Sequence, residues 1–256
     1  MKWLGILLLI LLLLYLTAGV LLYLKQRDLL YFPSAPVAHN HQTLILENEG
    51  ERITVTITNP GRDKALLYWG GNGEAVAAGA DVFATQLPEY TTYLVDYRGY
   101  GNSTGTPTEA GILSDALALY DTVRSQYHSI SLFGRSLGTG VACYVASERE
   151  ADKLALITPY DSIESVARDR YPIFPLSLLV KDKYDSLSRV PKIKAKTIIL
   201  IAEHDTVVPK AHAYRLASAF PTAQVEVHEI AGAHHNDIAG TPAYHQLLDR
   251  FFNKEE

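Results

Sequence analysis

Ile130-Ser131-Leu132-Phe133-Gly134-Arg135-Ser136-Leu137-Gly138, running on through Thr139 to Glu148, is the stretch that decides the fold. Ile130–Phe133 is a short, largely apolar run of the kind found in a covered strand, and Thr139–Glu148 has the composition of a helix. Gly134-Arg135-Ser136-Leu137-Gly138 lies between them, so a Gly-x-Ser-x-Gly pattern sits in the strand–turn–helix setting that its chemistry requires. Such a turn pushes the serine out past the strand end on a strained backbone. A Cβ at Gly134 or Gly138 would crowd the adjoining strand and helix. The helix that starts beneath Ser136 favours developing negative charge there.

A nucleophilic serine needs a base, and the base needs an acid to orient it. Downstream, the apolar run Thr197–Ile201 ends in Ala202-Glu203-His204-Asp205, with Pro209 close behind. Asp205 therefore falls on a loop past a strand end, where the competing reading is a helix cap. The run Val225–Ile230 ends in Ala231-Gly232-Ala233-His234-His235-Asn236-Asp237, which offers two adjacent histidines on another strand-end loop. The chain order serine, acid, histidine is one of three known orders for this triad.

The remaining pattern is strand alternating with helix. Further strand-type runs are Thr43–Leu46, Ile53–Thr58, Ala65–Tyr68, Thr92–Val95 and Leu154–Ile157. Helical stretches fall at about 74–87, 108–127, 137–149, 209–219 and 242–253, with Pro209 and Pro242 at first helical positions and Thr241 as an N-cap. This predicts an α/β fold: an eight-stranded, mostly parallel sheet with helices on both faces. The first two strands have no helix between them and are expected to form an antiparallel edge hairpin. The active site is expected at the carboxyl ends of the parallel strands.

With these motifs the chain resembles the α/β-hydrolase superfamily over about residues 43–253. Asp96-Tyr97-Arg98-Gly99-Tyr100-Gly101-Asn102-Ser103 looks like the D-x-R-G-x-G-x-S loop after the fourth strand. Trp69-Gly70-Gly71-Asn72-Gly73 stands at the place of the oxyanion loop after the third. The details are most similar to the small-lid, membrane-anchored Bem46-like and serine aminopeptidase-like hydrolases. In that group the base lies in an H-N-D sequence, which selects His235 over His234. Its oxyanion loop commonly reads H-G-N-x-G, and here Gly70 stands where histidine is usual. The resemblance implies a catalytic triad of Ser136, Asp205 and His235, and an oxyanion hole made by the backbone N–H groups of Leu137 and Asn72. It also implies that residues 160–190 form a lid, and that neither a metal nor an organic cofactor takes part.

The apolar residues are unevenly spread along the 256-residue chain. Trp3 to Leu24 is a run of 22 residues without a charge, which as a helix spans roughly 33 Å, enough for the hydrocarbon core of a bilayer. It is too long for a signal-peptide core, lacks an A-x-A site after it, and is apolar on every face. Residues 1–28 are therefore expected to be an uncleaved single-pass anchor, 29–42 a juxtamembrane connector, and 43–256 the α/β-hydrolase domain. Lys25 and Arg27 on one flank against Lys2 on the other slightly favour a cytoplasmic hydrolase domain.

The chain carries 28 acidic and 23 basic side chains and a formal charge of −5, which argues against nucleic acid as a partner. Removing residues 1–28 takes Lys2, Lys25, Arg27 and Asp28 away and leaves an acidic remainder of −7. Cys143 is the single cysteine, so neither an internal disulfide nor a thiolate zinc site can form. His204, His234, Asp205 and His235 do not have metal-ligand spacing, because two residues in a row do not readily point at one ion. Asp96 reads as a buried structural acid paired with Arg98 rather than as the catalytic acid, and His39 and His41 as solvated connector residues. The expected activity is hydrolysis of carboxylic esters or thioesters of apolar, lipid-like acyl groups. The rivals are an amidase or aminopeptidase-like hydrolase, using Glu203 or Asp161 to hold a substrate amine, and a silent membrane-bound binding module.

Overall fold

The computed structural model describes residues 2–253. Its centre is one eight-stranded sheet of β1 (Gln42–Asn48), β2 (Glu51–Thr58), β3 (Lys64–Trp69), β4 (Tyr90–Val95), β5 (Ser129–Arg135), β6 (Lys153–Ile157), β7 (Lys196–Ala202) and β8 (Val225–Ile230). The spatial order is β1-β2-β4-β3-β5-β6-β7-β8. β1 and β2 form the antiparallel edge hairpin and β2 meets β4 antiparallel, while every pairing from β4 to β8 is parallel. The central strands are apolar on both sides because both faces are covered.

α3 (Glu109–Val123), α4 (Leu137–Glu148) and α8 (Lys210–Ser218) cover one face through residues such as Leu119, Val141, Val145 and Leu216. α2 (Ala80–Gln86) and α9 (Pro242–Asn253) cover the other through Ala80, Leu248, Phe251 and Phe252. Two element starts differ from the sequence expectation. A 3-10 turn at Val76–Gly79 precedes α2, so the helix expected from about 74 is shorter. Pro209 is the cap of α8 rather than its first residue. Thr241 caps α9 as expected, its Oγ1 accepting from the Tyr244 N–H at 3.3 Å.

The segment between β6 and β7 carries α5 (Ile163–Arg170), α6 (Leu176–Leu179) and α7 (Ser186–Arg189), and its Ile163, Val166 and Leu176 line the same cavity as Ser136. The N-terminal helix α1 (Lys2–Leu30) is long and apolar enough to cross a membrane. It runs two residues past the expected anchor end, because Leu29 and Leu30 continue the helix instead of starting a connector. Tyr31 and Phe32 then bind the rest of the protein. Tyr31 is buried with its hydroxyl 3.0 Å from that of Tyr184, and the Phe32 N–H donates to both Asn72 Oδ1 and Tyr100 Oη at 2.9 Å.

Candidate active site

The site begins with the turn between β5 and α4. Ser136 has φ 49° and ψ −115°, a left-handed backbone that a non-glycine residue adopts only when its surroundings enforce it. Two close approaches do so. A Cβ on Gly134 would sit 2.4 Å from the Gly138 carbonyl oxygen, and one on Gly138 only 1.9 Å from that of Trp69. The Ser136 N–H donates to the Ile157 carbonyl at 2.9 Å, which ties the turn to β6.

His235 Nε2 lies 2.8 Å from Ser136 Oγ, and His235 Nδ1 lies 2.7 Å from Asp205 Oδ2. The histidine and aspartate side chains are almost fully buried, at 6% and 2% exposed. The other Asp205 oxygen accepts from the N–H groups of Val207 and Val208 at 2.9 and 2.8 Å. The loop after β7 thus aims one oxygen at the imidazole and fixes the other within the loop itself; Asp205 does not cap α8, whose N-cap is Pro209. His234 is exposed, and its ring meets the His204 carbonyl at 3.2 Å instead of the serine. Among the described residues no group of three His, Cys, Asp or Glu side chains is placed to hold a metal ion.

Gly70 to Gly73 pass beside the serine turn, where a Cβ on Gly71 would come within 3.6 Å of the Ser136 Cβ. No histidine anchors this loop. Glu74 does so instead: Oε2 accepts from the Gly71 N–H and from Arg135 Nη1, each at 2.8 Å, and Oε1 accepts from Tyr68 Oη at 2.6 Å. The space at Gly70 is already taken, because a Cβ there would meet Val76 Cγ1 at 2.6 Å. Tyr97 Oη adds a 2.7 Å bond to the Gly70 carbonyl. Arg135 also reaches the His235 carbonyl at 3.4 Å, so one guanidinium links the loop to the histidine backbone. Burial pulls the Arg135 cation down, but Glu74 and Tyr68 outweigh it and hold its pKa above the usual value. The loop's own signal in the sequence, an acid just after a glycine-rich run, is too common to have been singled out.

Two other sequence expectations need correction. Arg98 does not pair with Asp96; it makes a bidentate bond to Asp115 at 2.8 and 2.7 Å and reaches Glu49 at 3.2 Å. Asp96 is buried, packed where a Cβ on Gly101 would meet its Oδ2 at 2.2 Å, and it remains structural. Burial raises its carboxyl to about 6, against the opposing pull of the Asn102 N–H and His39. His39 and His41 are not freely solvated: both are half-buried, His39 against Thr56 Oγ1 at 3.1 Å and His41 against Asp81 at 2.8 Å. Cys143 is fully buried, and burial pushes its thiol up to about 12, as expected of a packing residue.

A cavity of about 400 Å³ opens over Ser136 and Leu137. Its walls are mainly apolar, with Val166 and Leu176 from the segment between β6 and β7, Val208 from the Asp205 loop, and Leu22 and Leu29 from α1. The Asn72 side chain reaches α1 as well, donating from Nδ2 to the Leu30 carbonyl at 2.5 Å and accepting from Tyr100 Oη at 2.7 Å.

Proteins of similar sequence occur in other organisms. The chain is 32% identical over 240 residues to the uncharacterized protein Rv2307c of Mycobacterium tuberculosis, covering 86% of this chain and 84% of that one. It is 31% identical over 166 residues, 62% of the chain, to the alpha/beta hydrolase domain-containing protein aho-3 of Caenorhabditis elegans. The chain belongs to the α/β-hydrolase superfamily. Another member of similar sequence is the lysophosphatidylserine lipase ABHD12 of Macaca fascicularis, 32% identical over 196 residues and 65% of this chain. The matched region spans about half of aho-3 and ABHD12, 48% and 49% of their lengths. No family model matches the chain.

Proposed function

We propose that this α/β-hydrolase is a serine hydrolase, tethered to a membrane by α1, that cleaves carboxylic esters or thioesters of apolar acyl groups. The continuous Ser136–His235–Asp205 hydrogen-bond chain at the floor of an apolar cavity carries this reading. With the Nδ1–H of His235 donating to Asp205, Nε2 holds the lone pair that takes the Ser136 proton. Ser136 Oγ attacks the acyl carbonyl, and Asp205 stabilises the imidazolium that forms. The alcohol or thiol leaves with that proton. Water, activated by the same histidine, then releases the acid and restores the serine.

The oxyanion is assigned to the backbone N–H groups of Leu137 and Asn72. Among the described residues neither has a hydrogen-bond acceptor, which is the condition for such a donor to be available. One donor is typically worth about 3–4 kcal/mol of transition-state stabilisation. The similarity to ABHD12, a lysophosphatidylserine lipase, favours a lipid-like acyl ester as substrate.

An aminopeptidase-like reading finds less support. Asp161 is buried against His212 Nδ1 at 2.8 Å and Arg215 Nε at 2.7 Å. Glu203 accepts from the Gly232 N–H at 2.7 Å, and neither acid lines the cavity over Ser136. The test is a panel of p-nitrophenyl esters of graded chain length, with an acyl thioester and an aminoacyl anilide alongside. Turnover rising with acyl length supports the proposal, and preference for the anilide overturns it.

A further inference from the structure

The lid and α1 match each other along their lengths. Tyr15 stacks on Phe174 with ring centroids 5.1 Å apart and planes 7° from parallel, and its hydroxyl donates to the Ile173 carbonyl at 2.9 Å. Gly19 leaves room for the same phenyl ring, which would lie 3.6 Å from a Cβ there. Two turns further, Gln26 donates to the Leu179 carbonyl at 3.0 Å and accepts from the Lys181 N–H at 2.7 Å. Arg27 then pairs with Asp182 at 2.8 Å.

The polarity changes at the same level on both partners. The apolar lid stretch from Tyr171 to Val180 lies beside the apolar turns of α1, and Lys181-Asp182-Lys183 lies beside Lys25, Gln26 and Arg27. Tyr15 to Leu24 is nine residues, about 13 Å of helix rise. If Trp3–Leu24 spans the hydrocarbon core, Ile173 and Phe174 are held about that far below its edge. Ile173 and Leu178 are 69% and 81% exposed, which is costly in water and favourable in hydrocarbon. The Ile173 carbonyl carried to that depth is partnered, by the Tyr15 hydroxyl.

We propose that the lid tip is inserted in the lipid leaflet beside α1, so that the cavity over Ser136 opens sideways into the hydrocarbon and receives its acyl chain from there. The occupant of this surface is the leaflet itself, as the continuity of the apolar lid stretch with a membrane-length helix requires. α1 is then a wall of the acyl pocket, through Leu22, Tyr23 and Leu29, as well as a tether. The insertion stands on the lid–helix register alone; the passage of substrate rests on the serine hydrolase reading above.

The full chain in phosphatidylcholine liposomes tests it. An environment-sensitive NBD fluorophore is placed on Ile173→Cys, with the buried Cys143 left unlabelled, and quenched with acyl-brominated phosphatidylcholine. Leu13→Cys, in the middle of α1, serves as the embedded reference, and Ala223→Cys, on the exposed loop before β8, as the aqueous one. Blue-shifted emission and quenching close to that of the Leu13 site are expected. Quenching no stronger than at Ala223 overturns the insertion. Separately, Ile173→Asp with Leu178→Asp should lower hydrolysis of a long-chain ester embedded in the vesicles by tenfold or more, while a short soluble ester is still turned over. Equal loss on both substrates overturns sideways entry. Failure of a fluorophosphonate to label Ser136 would remove the hydrolase reading and leave the quenching result standing.

Discussion

Replacing Glu74 by alanine probes how the oxyanion loop is held. Glu74 accepts three hydrogen bonds, from Tyr68, Gly71 and Arg135, at 2.6, 2.8 and 2.8 Å. The Arg135 side chain is only 17% exposed, so losing its partner strands a largely buried cation. Breaking one half of such a pair costs about 3–5 kcal/mol, a large share of a typical stability of about 5–15 kcal/mol. The kinetic effect follows from the loop: without the bond to the Gly71 N–H, the next residue, Asn72, loses its fixed backbone direction. Removal of one oxyanion donor lowers turnover about 10²–10³-fold, and Glu74→Ala should approach that loss in kcat with little change in KM. Glu74→Gln keeps the shape, since its amide oxygen still accepts from Gly71 and Arg135 while the Tyr68 hydroxyl turns to accept from the amide nitrogen. It should stay within about tenfold of wild type, as only the charge of the bond to Arg135 is lost. Urea unfolding establishes the folded fraction, and initial rates on a short soluble p-nitrophenyl ester give kcat and KM. A folded Glu74→Ala protein with wild-type kcat would refute this account of the loop.

Other expected outcomes are shorter to state. His235→Ala should abolish turnover whereas His234→Ala should retain most of it, since only the former ring touches Ser136; the reverse result on the same ester would overturn the assignment. Burial holds the Asp96 carboxyl at about 6 against a usual 3.8, so the folded state keeps this proton more tightly than the unfolded chain. That contribution is fully present below about pH 4 and is lost as pH rises through 6, so Asp96→Asn should gain about 1–3 kcal/mol at pH 8 and almost nothing at pH 3.5, read by urea titration at both. Gly138→Ala should disrupt the serine turn, because the added Cβ would meet the Trp69 carbonyl oxygen at 1.9 Å; soluble expression and thermal unfolding would show it.

The parts of the site readable in the sequence were those whose chemistry needs adjacent residues. Gly134 to Gly138 spell a turn that only one geometry satisfies. Asp205 and His235 each follow a strand, and strand ends converge on one edge of a parallel sheet. Choosing His235 over His234 took the resemblance of its H-N-D context, because both histidines lie on the same loop. What was not readable depends on partners distant in the chain. Arg98 was matched to its near neighbour Asp96, but the fold supplies Asp115 from α3. Glu74 replaces an absent histidine by reaching Arg135, 61 residues away. The docking of α1 on the lid was also hidden, since a helix apolar on every face has no periodicity to mark which side is covered.

The most direct measurement is fluorophosphonate labelling of the folded full-length chain followed by peptide mapping. Covalent modification confined to Ser136, absent in Ser136→Ala and strongly slowed in His235→Ala, is the expected result. A folded wild-type chain that takes up no label, or takes it up elsewhere than Ser136, would contradict the claim that this serine is an activated nucleophile.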